Sequence, residues 1–241
     1  LGDVYKRQLS GGVAKCLRMQ GKCLYYIKRY DEAWMLMNQA LDIAIQIDNK
    51  KQIVACHKQL YYLCREFKRV MNERGDEQAS TLFFRESLLH EMYFSEKPRL
   101  AELTVRYEAL RCDIMQQYYM NKDYDNVIRI ATSLDIHDDA DPNASCLVYY
   151  YKAQAYVKLE NYPMAKEAFF REFELRKKYL GWEEEDTILA CQNLGVLHSF
   201  CNEREEALAC FREAYGHEVK KNGEDSEMAQ KLLQYISVVE S

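Results

Sequence analysis

The feature that most constrains this chain is a local step that recurs along it. A charged or tyrosine-led turn comes first, an alanine follows three residues on, and a bulky apolar residue stands four after that. It reads Tyr30-Asp31-Glu32-Ala33 then Met37, Tyr162-Pro163-Met164-Ala165 then Phe169, and Arg204-Glu205-Glu206-Ala207 then Phe211. Weaker copies are Tyr124-Asp125-Asn126-Val127 then Ala131, and Asp76-Glu77-Gln78-Ala79 then Phe83. The anchors at 33, 79, 127, 165 and 207 are 46, 48, 38 and 42 residues apart, so each interval holds two helices and two turns. A unit of that size cannot bury its own apolar face and must stack on its neighbours. The repeat points to an all-α chain and moves the functional question from catalysis towards binding.

The last copy is the fullest. Leu194-Gly195 precede His198, and Ala207, Phe211 and Ala214 follow. This set resembles the tetratricopeptide signature, with a Leu-Gly pair and an aromatic on the first helix of a hairpin and an A-x3-F pair on the second. The same positions are Lys152-Ala153, Tyr156, Ala165, Phe169 and Glu172 in the fourth copy, and Gln20-Gly21, Leu24, Ala33, Met37 and Ala40 in the first. Small residues at 21, 153 and 195 let two helices approach closely, with Ala33, Ala165 and Ala207 expected opposite them. Over about residues 145 to 239 the likeness sharpens. Gly181, Thr187 and Leu194 recur as Gly223, Ala229 and Ile236, a constant shift of 42. This is similar to the kinesin-light-chain type of repeat, although Tyr235 stands where the first of these copies has Asn193. The resemblance implies an α-solenoid of about five tetratricopeptide-like (TPR-like) helix hairpins plus a C-terminal capping helix. Residues 9–140 form its irregular part and 141–241 its regular part, in one continuous array.

Apolar periodicity predicts helices over 10–28, 31–48, 50–72, 77–94, 98–120, 124–136, 143–160, 162–180, 184–201, 204–220 and 225–239. Asp48-Asn49 and Asn72 to Asp76, with Gly75, read as turns. Ser95-Glu96-Lys97-Pro98 reads as a capped helix start. Asp135 to Asn143 is acidic and polar and reads as an inter-repeat loop; without a glycine it does not suit a hard-cation loop. Arg99 to Glu108 resembles the close of the repeat array in bacterial sensor proteins, which suggests a bacterial source. Leu1 to Gln8 resembles a translated sequencing-adapter read-through, so these residues are expected to be a non-native leader.

Composition narrows the class further. Three prolines and 9 glycines are too few for a turn-rich β fold. A net charge of -5 disfavours nucleic-acid binding, which needs a basic face. No apolar run is long enough to span a bilayer as a helix. The nine cysteines are odd in number, include no CxxC pair, and sit at helical spacing beside apolar residues. They read as reduced thiols buried as small hydrophobes, in a cytoplasmic chain.

Catalytic patterns are missing: there is no phosphate-cradling glycine loop, no G-x-S-x-G and no H-E-x-x-H. His198 and Cys201 could share a metal with Cys191 or Cys210. The weightier reading gives His198 the family's aromatic position and Cys201 the core. Glu183 to Asp186 read as an acidic helix start favoured by the macrodipole. The expectation is no enzyme, no catalytic residue, no cofactor and no metal.

In a tetratricopeptide array the first helix of each pair lines the concave face. The resemblance places Arg18, Lys22 and Tyr25 there, then Gln116 and Tyr119, then Tyr150, Gln154 and Lys158, then Gln192, Asn193 and Val196. Amides and tyrosines suit an extended peptide, because they pair with its backbone and cover its side chains. Asn193 matches the residue that grips peptide backbone in the kinesin-light-chain type. Arg18 and Lys22 have the spacing, but not the residue types, of the chaperone-binding carboxylate clamp. The expected partner is a protein or peptide, with no nucleic acid and no membrane. The alternative is the peptide-sensing half of a bacterial transcription or signalling regulator whose effector domain lies upstream.

Overall fold

The computed structural model describes residues 2–95, 107–132 and 141–241. Among the described residues there are eleven helices and no strand. They are α1 (Gly2–Tyr26), α2 (Tyr30–Gln46), α3 (Lys50–Glu73), α4 (Glu77–Glu91), α5 (Tyr107–Met120), α6 (Tyr124–Thr132), α7 (Pro142–Lys158), α8 (Tyr162–Tyr179), α9 (Glu185–Phe200), α10 (Arg204–Asn222) and α11 (Glu227–Glu240). The all-α class, the paired helices and the final single helix agree with expectation. None of these helices is long and apolar enough to cross a membrane.

Five hairpins close on the same backbone turn. A left-handed residue stands at Lys28, Gly75, Lys122, Glu160 and Asn202, with φ of 62°, 75°, 60°, 57° and 59°. Each donates its N–H three residues back, and the next residue reaches back five. Examples are Glu160 to the Val157 carbonyl and Asn161 to the Tyr156 carbonyl, or Asn202 to Ser199 and Glu203 to His198. These bonds satisfy the orphan carbonyls at the end of the first helix. Four of the five left-handed residues are not glycine, so this backbone repeat is hidden in the sequence. The next helix then starts on a side-chain cap where one is available: Asp76 accepts from the Ala79 amide at 2.9 Å and Asn161 from the Met164 amide at 3.4 Å.

The chain divides into two compact units, Leu1–Gln117 with Thr132–Asp135, and Tyr118–Ala131 with Ile136–Ser241. In the first, α1 packs on α2, α2 on α3 and α3 on α4, and α1 also touches α3. Met37, Leu41, Leu60 and Leu63 are fully buried in its core. Trp34 lies edge-on to Phe67 and Phe83, with ring centroids 5.6 and 6.4 Å away. In the second, α7 through α11 pack each on the next. Ala165, Phe169, Ile188, Leu194, Ala207, Phe211 and Leu232 are buried there.

Most repeat anchors are core residues, since Ala33, Met37, Val127, Ala131, Ala165, Phe169, Ala207 and Phe211 are all buried. Ala79 and Phe83 are only half-buried. Helix α4 turns Leu82, Glu86, Leu89 and His90 inwards instead, and Phe83 stacks on Phe67 at its edge, 4.9 Å between centroids. Gly21 lies under Ala33 and Met37, as expected of a close approach. Gly195 lies under Phe211 and Cys210 rather than Ala207.

Element ends shift by a few residues. Helix α1 is already helical at Gly2, α4 stops at Glu91, and α10 runs on to Asn222, where Gly223 at φ 89° ends it. The Ser95–Pro98 start, the Arg99–Glu108 segment and the Asp135–Asn143 loop fall wholly or mainly outside the described residues. Asp141 at the loop's edge caps α7 by accepting from the Ala144 amide at 3.2 Å. All nine cysteines are free thiols. Five are buried, but Cys16 and Cys23 are exposed on α1 and Cys201 and Cys210 are half-exposed, which corrects the uniform reading as core residues.

Candidate functional site

In the first unit the touching first helices α1 and α3 open a hollow of about 460 Å³. Tyr25 of α1 faces Tyr62, Arg65, Glu66, Lys68, Arg69 and Asn72 of α3 across it. Helical spacing explains the charge on this wall: 62, 65, 66 and 69 recur at three and four residues and share one face. Arg69 is held by Glu66 at 3.1 Å and Glu73 at 2.5 Å. Lys68 lies over the Phe84 ring at 4.5 Å, and Arg65 over Tyr61 at 5.6 Å. Burial first, and then the Glu66 carboxylate, raise the Tyr25 hydroxyl above the usual phenol range, so it stays a neutral donor. The other expected residues of α1 do not line it: Arg18 donates to Gln52 Oε1 at 3.1 Å, and Lys22 sits 5.8 Å from the Tyr26 ring centroid. Gln116 is exposed on α5.

In the second unit, Tyr119 at the end of α5 packs its ring against Tyr124 and Tyr151, at 5.5 and 5.7 Å. Tyr150 and Gln154 are one turn apart on α7 and hydrogen-bond to each other. Burial and the nearby Glu172 carboxylate raise the Tyr150 hydroxyl. Lys158 is exposed and Asn193 half-exposed. Gln192 is buried, with 5% of its surface exposed, and its Oε1 accepts no hydrogen bond among the described residues. Val196 lines a second hollow of about 250 Å³ with Ser199, Phe200, Phe211, Tyr235, Val238 and Val239. Phe200 and Val238 are 74% and 71% exposed, so this end of the unit is markedly apolar.

Beneath Tyr150 lies a buried ion pair that sequence reasoning passed over. Arg176 donates from Nε to Glu172 at 2.9 Å and from an η nitrogen to Asp186 at 2.8 Å. Burial pushes the Glu172 carboxyl up to about 7, against the pull of Arg176. The i, i+4 spacing of Glu172 and Arg176 on a helix was the available signal. Asp186 and Glu185 lie in the first turn of α9. His198 pairs with Glu203 at 2.6 Å, and Lys166 binds the same carboxylate. Cys191 points its thiol at the Cys210 carbonyl, 3.3 Å away. Among the described residues, His198, Cys201, Cys191 and Cys210 do not form a metal-ligand cluster. The one that does form, Cys64 with Glu86 and His90, lies in the first unit.

No protein-family model matches the chain, and no curated protein does. Among solved structures it is similar to the TPR2AB domain of yeast Sti1, described as a complex with pHSP90. The identity is 16%, the match covers 96% of this chain and 100% of that one, and the TM-score is 0.43. At that identity and score the likeness assigns no role to any residue here.

Proposed function

We propose that this chain is a non-enzymatic scaffold that binds a protein partner through an extended peptide segment. The observation that carries this reading is the hollow between α1 and α3. There a groove residue assigned from the repeat register, Tyr25, faces the polar and aromatic wall of the next hairpin's first helix. Half-buried tyrosines keep an apolar body and a polar tip at the surface, which suits a backbone-and-side-chain ligand. In the second unit Tyr150, Gln154 and Asn193 have the same character, and the likeness to the kinesin-light-chain type supports Asn193 as a backbone-gripping amide. The domain reading goes with this proposal: an irregular repeat block over 9–140 and a regular one over 141–241. An unstructured ligand must be ordered on binding, so modest affinity is expected.

The test is to select peptides from a random-sequence display library on the full chain and measure binding of the enriched peptides by fluorescence anisotropy. Tyr25→Ala with Arg65→Ala tests the first surface, and Tyr150→Ala with Asn193→Ala the second. One of the pairs is expected to weaken binding at least about tenfold, or about 1.4 kcal/mol, with helicity unchanged. Full affinity in both double variants refutes the groove assignment.

A further inference from the structure

We propose that Cys64, Glu86 and His90 form a buried site for a zinc-class divalent metal, clamping α3 to α4. All three side chains, and His57 beside them, are 0% exposed. Their ligand atoms lie within 4.8 Å of one another. The topology puts them there. His57 and Cys64 are seven residues apart and share a face of α3. Glu86 and His90 are four apart and share a face of α4. The two helices form an antiparallel hairpin, so His57 lies level with His90 and Cys64 level with Glu86.

The geometry is close to that of a centre with nitrogen, oxygen and sulfur ligands. Tetrahedral zinc with bonds of about 2.0–2.3 Å holds its ligand atoms about 3.3–3.6 Å apart. His90 Nε2 and Glu86 Oε1 already stand 3.5 Å apart. Cys64, within 4.8 Å of the other two ligand atoms, needs an inward shift of at most about 1.5 Å to complete that spacing. Charge balances as well. A thiolate and a carboxylate together offset a divalent cation, so the loaded site is a neutral buried unit. Binding transfers the Cys64 thiol proton to solvent.

His57 acts through His90. The two rings meet Nδ1 to Nδ1 at 2.9 Å, and His57 is itself stacked on Tyr93 at 3.7 Å. Metal-ligating histidines characteristically have their second ring nitrogen held by a neighbouring group, and His57 fills that positioning role here.

The experiment strips the full chain with a chelator and titrates it with Co²⁺, without oxygen and with a phosphine reductant. One equivalent is expected, with a thiolate-to-cobalt charge-transfer band and, with a water as the fourth ligand, tetrahedral d–d bands. Cys64→Ser should abolish the charge-transfer band, and Glu86→Gln should weaken binding. His57→Gln should keep the band and lower affinity about 10–100-fold. Cys16→Ser and Cys23→Ser, on the exposed face of α1, should change nothing. A wild-type chain with no charge-transfer band overturns the proposal. So does a band that survives in Cys64→Ser, or one lost in the two α1 variants. Should Cys64→Ser fail to fold, the wild-type spectrum and the His57→Gln titration still decide.

Discussion

Replacing Gly195 by alanine should destabilise the second unit, although alanine is the better helix former. A Cβ built on Gly195 would stand 2.8 and 2.9 Å from two ring carbons of Phe211 and 3.0 Å from the Cys210 Cβ, whereas ordinary contact begins at 3.4 Å. Phe211 cannot swing away: it is 1% exposed and stacked on Tyr235 at 5.1 Å. Forcing a methyl into such a contact costs about 1–3 kcal/mol, offset by about 1 kcal/mol of helix propensity. The net loss expected is about 0–2 kcal/mol, against a gain for an unhindered alanine. Gly216, on α10, supplies the control, because its Cβ would meet nothing within 4 Å. Gly216→Ala should therefore stabilise by about 0.5–1 kcal/mol. The assay is urea denaturation followed by Trp182 fluorescence in a Trp34→Phe background, because the chain's two tryptophans fall one in each unit. A Gly195→Ala chain as stable as Gly216→Ala would sink the reasoning. Rescue of Gly195→Ala by Phe211→Leu would confirm its cause.

Further outcomes follow from other contacts. Glu172 has a folded pKa raised to about 7 from an ordinary 4.5. The folded state therefore holds that proton more tightly, and its contribution is fully present below about pH 4.5 and lost as pH rises through about 7. Glu172→Gln should gain on wild type by roughly 2–3 kcal/mol between pH 5 and pH 8 in the same denaturation assay; parallel pH profiles would refute this. Ser226 caps α11 by accepting from the Ala229 amide at 3.1 Å and donates to the buried Glu218 at 2.7 Å. Ser226→Ala should cost about 1–2 kcal/mol, read as faster amide exchange in α11. Burial pushes the Cys56 thiol up to about 12. Native-state alkylation resolved by mass spectrometry should thus label Cys16 and Cys23 fast and Cys56 only on unfolding.

The repeat was readable because small and aromatic anchors must recur wherever helices pack alike. Ala33, Ala165 and Ala207 could therefore be found without coordinates. The hairpin turn was not readable, because its left-handed residue is a lysine, a glutamate or an asparagine in four hairpins and a glycine in one. The proposed groove rests on repeat register alone. Tyr25 and Asn193 keep surface exposure, whereas Gln192 does not. Along the chain Gln192 looks like Asn193, and only the rotation of α9 against its neighbours separates them.

The same reason explains the buried cluster. Its signals were present as His57 and Cys64 seven apart and Glu86 and His90 four apart, but each is a common spacing on a helix. What joins them is the level at which α3 and α4 cross, set by the turn at Gly75 and by Leu60, Leu63 and Leu89 packing in the core. The sequence by itself determined the all-α class, the pairing of helices and most of the core, because those depend on local periodicity. The tertiary structure alone decided which polar side chains share a cavity, because that depends on residues distant in the chain being brought to the same height and facing one another.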